Sequence, residues 1–311
     1  MIELEHVTKM YGSIPGIRDV SLHVPQGQTV GLLGRNGAGK TTALNLMTGY
    51  FPPTEGKVRV GGKDMMANPR ECKRMIGYLP ERPPLYDEMT VEEYLSFVSE
   101  LREVTRKANK EHVNEIIELC TLKDVRKRVI SHLSKGYRQR VGIAQALCGS
   151  PDVLILDEPT VGLDPRQTVE MRELIRKLGK DHTVVFSSHI LSEVQQICSR
   201  VIILEEGQMV LDDDARQQGE EPLRLRLKIA GKEETVLDRL RRLDGFTGAE
   251  ILPKEEEGTV EVRVILAKGT DNGAALDRAF RTLADSGMPV RMMREEKENL
   301  EEVFLRTIQS L

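Results

Sequence analysis

The chain has 311 residues and a mass of 35.0 kDa, with 39% hydrophobic and 30% charged residues and a formal net charge of −4. That length suggests about two domains with proper hydrophobic cores, which excludes a disulfide-stapled miniprotein and, with this composition, extended disorder. The slightly acidic balance also argues against a dedicated nucleic-acid binder, so no nucleic acid is expected as a partner.

Met1-Ile2-Glu3-Leu4-Glu5 alternates apolar and acidic residues, without the basic and apolar regions of a secretory signal. The longest stretch lacking charged residues, Val20 to Gly34, is interrupted by Pro25 and three glycines. It falls short of the roughly 20 apolar residues that a membrane span needs, so the expected compartment is the cytoplasm. Cys72, Cys120, Cys148 and Cys198 are too far apart for a metal clip and read as reduced, buried small hydrophobes.

Strand-like runs at Gln28–Leu33, Val58–Val60, Val153–Leu156, Thr183–Ser187 and Val201–Leu204 alternate with helical patterns. Such alternation predicts a wound α/β domain with a largely parallel central sheet. The strand signal disappears between about Glu81 and Ser150, where Thr90-Val91-Glu92-Glu93 reads as a capping box and Val113, Ile116, Ile117 and Cys120 continue a helical period. This segment is predicted to be a helical insert. Beyond Asp212-Asp213-Asp214 and a polar stretch to Glu221, residues Leu223 to Ile229 alternate strictly and predict a half-buried strand. A helix through Val236, Leu237, Leu240 and Leu243 follows, then strands near Ile251 and at Val260–Leu266, a helix through Leu276, Phe280 and Leu283, and a strand at Val290. The order βαββαβ predicts a small α+β, ferredoxin-like domain. A last helix would carry Leu300, Val303, Phe304 and Ile308 along one side.

The chemistry concentrates at Gly34-Arg35-Asn36-Gly37-Ala38-Gly39-Lys40-Thr41, which matches G-x-x-x-x-G-K-[ST] between a strand-like run and the helical run from Thr42. Backbone N–H groups of Gly34, Asn36, Gly37, Ala38, Gly39 and Thr42 are candidates to cradle phosphate. Lys40 would reach the β/γ-phosphates, and the Thr41 hydroxyl would face Mg²⁺. The apolar run Val153–Leu156 ends in Asp157 and Glu158, a metal-holding and a water-orienting carboxylate if the phosphate loop is real, and a solvated strand end if it is not.

Leu133-Ser134-Lys135-Gly136-Tyr137-Arg138-Gln139-Arg140, ahead of Asp157, resembles the signature loop of the ATP-binding cassette (ABC) ATPases. The resemblance runs over about residues 1–210. It implies an α/β P-loop cassette with a helical subdomain at about 82–150 inside an ATP-binding domain of 1–218, followed by an accessory or regulatory domain at 219–311. On it, Tyr11 resembles the aromatic that stacks on adenine, although its position alone also fits a core aromatic. Val161-Gly162-Leu163-Asp164 resembles the dimer-contact loop, with Asp164 as its contact residue, and His189 resembles the switch histidine. Ser134 also reads as a helix cap, which is compatible with binding an anion.

Two motifs depart from the family pattern: Lys135 and Tyr137 stand where Gly and Gln are usual, and Glu81, in Ile76-Gly77-Tyr78-Leu79-Pro80-Glu81, stands where Gln is usual. Glu81 is carried as a further magnesium candidate. Both departures, and the segment Asn299–Leu305, are similar to cassettes serving exporters of drugs, ions and polysaccharides and gliding-motility systems. The resemblance therefore implies an ATPase using ATP and Mg²⁺, with Glu158, His189 and Lys40 catalytic. It further implies a homodimer in which Ser134, Lys135, Gly136 and Tyr137 act in trans, and a separate membrane permease on whose cytoplasmic side the chain would sit. The competing class is a soluble cassette of translation or DNA maintenance. A single phosphate loop, and no room for a long heptad array between Lys40 and Ser134, weigh against it.

Overall fold

The computed structural model describes residues 1–214, 223–243, 245–252, 258–267, 272–285 and 287–295. The chain divides into two compact units, Met1–Ala215 and Arg216–Leu311. The first opens with β1 (Ile2–Tyr11) and β2 (Ile14–Val24), which pair antiparallel from Ile2↔Val24 to Tyr11↔Ile14. β3 (Thr29–Leu33) is buried at every position, as an apolar strand covered on both faces must be, and leads through the glycine loop into α1 (Lys40–Met47).

β4 (Glu55–Val60) pairs with β1 and with the short β5 (Lys63–Asp64), making an antiparallel sheet of order β2-β1-β4-β5. The Val58–Val60 run therefore lies in a different sheet from the other four strand-like runs. Its alternation gives the reason: Val58 and Val60 are buried while Lys57 is exposed and Arg59 is half-buried, the pattern of a strand with one wet face.

α2 (Pro69–Arg74) precedes β6 (Ile76–Leu79). The helical insert then holds α3 (Val91–Leu101), α4 (Arg106–Leu119) and α5 (Lys135–Leu147). The capping box at the start of α3 forms reciprocally, with Glu93 N donating to Thr90 Oγ1 at 3.3 Å and Thr90 N donating to Glu93 Oε2 at 2.9 Å. β7 (Val153–Leu156), α6 (Pro165–Leu178), β8 (Thr183–Ser188), α7 (Leu191–Ile197), β9 (Arg200–Glu205) and β10 (Gln208–Asp214) complete the unit. The main sheet has the order β10-β9-β3-β8-β7-β6; every pairing from β9 through to β6 is parallel, and β10 closes one edge antiparallel. α5 packs on β6 and β7, while α7 packs on β3 and β8. One apolar cluster joins the two sheets across α1, from Ile2, Leu4 and Val60 through Leu44 and Met47 to Val30, Ile155, Val185 and Ile202.

The second unit contains β11 (Leu223–Ala230), α8 (Glu233–Leu240), β12 (Phe246–Ile251), β13 (Thr259–Leu266), α9 (Asn272–Asp285) and β14 (Val290–Glu295). Its antiparallel order β12-β13-β11-β14 is the split βαβ arrangement. Leu225, Leu227 and Ile229 pack with Val236, Leu240 and Leu283 in a core of their own, joined by Leu243 just past the end of α8. The helix expected through Leu300, Val303, Phe304 and Ile308 lies outside the described residues. Among the described residues no helix is long and apolar enough to cross a membrane.

Candidate functional site

Parallel strands point their carboxyl ends the same way, so residues far apart in the chain converge at one edge of the main sheet. β3 delivers the glycine loop, β7 delivers Asp157 and Glu158, β8 delivers Ser188 and His189, and β6 leads to Glu81. Gly37 and Gly39 adopt φ of 87° and 102°, a region that favours glycine, and a Cβ at Gly39 would lie 2.5 Å from the Gly16 carbonyl oxygen. The loop they shape leads straight into α1, whose first residue is Lys40.

A cleft of about 420 Å³ lies over this loop. Asn36, Gly37, Gly39, Lys40, Thr41 and Thr42 line it from below, facing Glu81, Glu158 and His189. Gly34 and Ala38 do not line it. The Gly34 carbonyl instead accepts a 2.7 Å hydrogen bond from Lys40 Nζ, and the buried Ala38 supplies a carbonyl that accepts from Gly207 N. Tyr11 does not line the cleft either: it is 47% exposed, its ring lies beside Gly16, which does line the cleft, and meets Phe51 edge-on at a centroid distance of 5.8 Å. Gly16, Arg35 and Val161 also line the cleft without having been singled out from the sequence.

Lys40 is almost wholly buried. Besides Gly34 O, its ammonium reaches Arg35 O at 3.1 Å and Glu158 Oε1 at 3.4 Å, and the other carboxylate oxygen, Glu158 Oε2, is 2.9 Å from His189 Nδ1. Glu158 thus links the lysine to a half-exposed histidine, and it does so from a backbone φ of 47°, unfavourable for a residue with a side chain. Asp157 is buried beside it. Burial pushes its carboxyl up from the ordinary value, hydrogen bonds from Ser187 and Thr41 pull it back, and the charges of Glu158 and Glu81 push it up further. Ser187 holds both acids: its Oγ donates to Asp157 Oδ1 at 2.6 Å and accepts from Glu158 N at 2.9 Å. Ser187 escaped the sequence reading, although a hydroxyl at the carboxyl end of a strand neighbouring β7 is well placed for this.

The four residues from Ser134 to Tyr137 are not among those lining the cleft. Ser134 is the N-cap of α5, its Oγ accepting from Tyr137 N, and the exposed Lys135 lays its ammonium against Gly162 of the same chain. Asp164 is likewise an N-cap, on α6, accepting from Gln167 N at 2.8 Å.

A glycine loop at the head of a parallel sheet, with a lysine at the helix start and two acids on a nearby strand, defines a P-loop nucleotide-binding protein. A family model described as ABC transporter matches residues 17–161. The bacitracin transport ATP-binding protein BcrA of Bacillus licheniformis is 32% identical over 99% of this chain and 97% of its own length. An uncharacterized ABC transporter ATP-binding protein, YxlF of Bacillus subtilis, is 31% identical over 99% of both. The dimeric post-hydrolysis structure of the ATP-binding cassette MJ0796 with ADP and Pi superposes with a TM-score of 0.63 at 26% identity, over 69% of this chain and 98% of that one. The chain belongs to the ABC transporter ATP-binding family and is an ATP-binding, ATP-hydrolysing cassette.

Proposed function

We propose that this cassette is the ATPase subunit of an exporter, that two copies close head to tail around two ATP molecules, and that a separate membrane permease is driven by that closure. The observation that carries the reading is the division of the site. Lys40, Thr41, Glu158 and His189 line one cleft, while Ser134, Lys135, Gly136 and Tyr137 do not line it, leaving the signature residues for a second nucleotide-binding subunit, with Asp164 at the contact between copies. Full-length similarity to bacitracin transport proteins supports the exporter assignment. A groove of about 730 Å³ beside Glu81, walled by Tyr50, Tyr78, Pro84, Val98 and Arg102, suits a cytoplasmic segment of the permease, which would hold the chain peripherally at the inner face of the membrane.

The residues fit Mg²⁺. Asp157 and Thr41 supply hard oxygen donors, and a cation would relieve the cost of a buried carboxylate. Magnesium usually takes several of its ligands from phosphate and water, so one or two protein oxygens suffice. When bound, Mg²⁺ would neutralise charge on the β- and γ-phosphates. Asp157 and Thr41 would hold it, with Glu81 close by. Triphosphate entering the cleft draws Lys40 towards its β/γ oxygens, away from Glu158. Glu158, retaining its contact with His189, accepts the proton of the attacking water, and Tyr11 stacks on the base at the rim.

The Glu158→Gln variant removes the base and keeps the shape. With Mg·ATP it should run as a stable dimer on size-exclusion chromatography with turnover reduced at least ~100-fold. A monomer under all nucleotide conditions overturns head-to-tail closure. Lys40→Ala should instead weaken ATP binding itself by about 10- to 100-fold, read with a fluorescent ATP analogue. Co-purification of the full chain with a polytopic membrane protein separates this reading from a soluble cassette.

A further inference from the structure

Glu193 is a carboxylate with no place in the mechanism above. It lies in the first turn of α7, is 5% exposed and does not line the nucleotide cleft. Its Oε2 accepts two hydroxyls, Thr160 Oγ1 at 2.7 Å and Ser188 Oγ at 3.1 Å. Both donors are buried, and each sits beside a residue of the site. Thr160 is two residues after Glu158, inside a tight turn in which Val161 N donates to Glu158 O at 3.1 Å and Leu163 N donates to Thr160 O at 3.2 Å. Ser188 immediately precedes His189, and its Oγ also accepts from Ile190 N at 3.0 Å, so it holds the peptide that follows the histidine.

Ser187 ties Asp157 Oδ1 and the Glu158 amide at the strand ends, one layer below. Buried hydroxyl and carboxylate groups must find partners, and here they find each other across the two segments whose tips meet as the 2.9 Å contact of Glu158 with His189.

We infer that Glu193 is a positioning residue for ATP hydrolysis: by holding Thr160 and Ser188 on one carboxylate oxygen, it sets the separation and orientation of Glu158 and His189. The inference rests on the roles proposed above for those two residues. A displacement of about 1 Å in a reacting group can cost about 100-fold in rate while leaving substrate binding intact. The effect belongs in kcat, because the contacts of Lys40 and the glycine loop with nucleotide are untouched.

The test uses the full chain and compares Glu193→Ala, Glu193→Gln and the near-isosteric Thr160→Val, which guards against a misfolded alanine variant. Steady-state ATPase assays should show kcat lowered about 10- to 100-fold in Thr160→Val and Glu193→Ala, with KM and fluorescent-nucleotide affinity within about twofold of the parent. Glu193→Gln keeps an acceptor oxygen at the same place and should restore most of the turnover. Introduced into His189→Ala, Thr160→Val should cost no more than about twofold further, since the pair it aligns is already broken. Undiminished kcat in Thr160→Val, an equal loss in Glu193→Gln and Glu193→Ala, or losses that multiply in the double variant overturn the inference while His189→Ala keeps a reduced but measurable turnover. Full turnover in His189→Ala overturns the underlying site assignment instead.

Discussion

Asp157 carries the opposed demands of this site within one side chain. Its carboxyl is raised by burial, so the folded chain holds a proton there more tightly than the unfolded chain does. The nucleotide-free protein therefore loses stability as pH rises from the ordinary carboxylate range through the folded value. Asp157→Asn should abolish it: the variant should melt at higher temperature than the parent at pH 7, the difference should shrink as pH falls through the acid range, and ATPase activity should be lost. A variant melting lower at pH 7, or a difference independent of pH, would contradict this account. At this scale the sequence was legible wherever a residue belongs to a linear motif. That the glycine loop with Lys40, and the acids Asp157 and Glu158, lie at the carboxyl ends of strands could be read directly, because each follows an apolar run within a few residues. Ser187, Thr160 and Glu193 could not, since their meaning comes from β7 and β8 lying side by side, which no local spacing encodes.

At the scale of elements, the main sheet depends on close approach between β6 and α5. A Cβ on Gly77 would sit 2.0 Å from the Ala146 carbonyl oxygen, a main-chain atom that cannot rotate away. Gly77→Ala should destabilise the first unit by about 3 kcal/mol or more, measured by denaturant unfolding, because overpacking here forces α5 off the sheet. It should also widen the groove beside Glu81, which both elements border. The capping box at Thr90 and the largely apolar β3 and β7 were readable from propensity and pattern. Val58 to Val60 was legible as a strand but not as part of the antiparallel sheet, because three residues show too little of the wet-dry alternation that Glu55 to Lys57 complete. β6 was hidden in another way, its four residues overshadowed by the motif around Glu81.

For the whole molecule, each unit has an apolar cluster of its own, and we predict that the two unfold separately. Scanning calorimetry should resolve two transitions, with Mg·ATP analogue raising only the one that belongs to residues 1–215. A single cooperative transition shifted as a whole by nucleotide would show the units to be energetically one. We expect the second unit to act as an accessory or regulatory domain. Deleting residues 219–311 should leave nucleotide binding in place and change dimerisation or ATPase rate; the absence of change in either would argue against that role. The split βαβ order of this unit was foreshadowed by the strict alternation of Leu223 to Ile229 and the two helices that follow it in turn.

The sheet order has one more consequence, for the newborn chain. β3, which bears the phosphate loop, is flanked by β8 and β9, with Thr29 opposite Val184 and Val30 opposite Arg200. At the usual pace of synthesis, about 5–20 residues per second, a ribosome needs on the order of 10–30 s to add the flanking strands. For that interval the apolar Val30, Leu32 and Leu33 have no neighbours on either edge, and ATP arriving early finds a loop without its anchor. Translation tempo across the second hundred residues would thus set how long a chaperone must shield the opening segment.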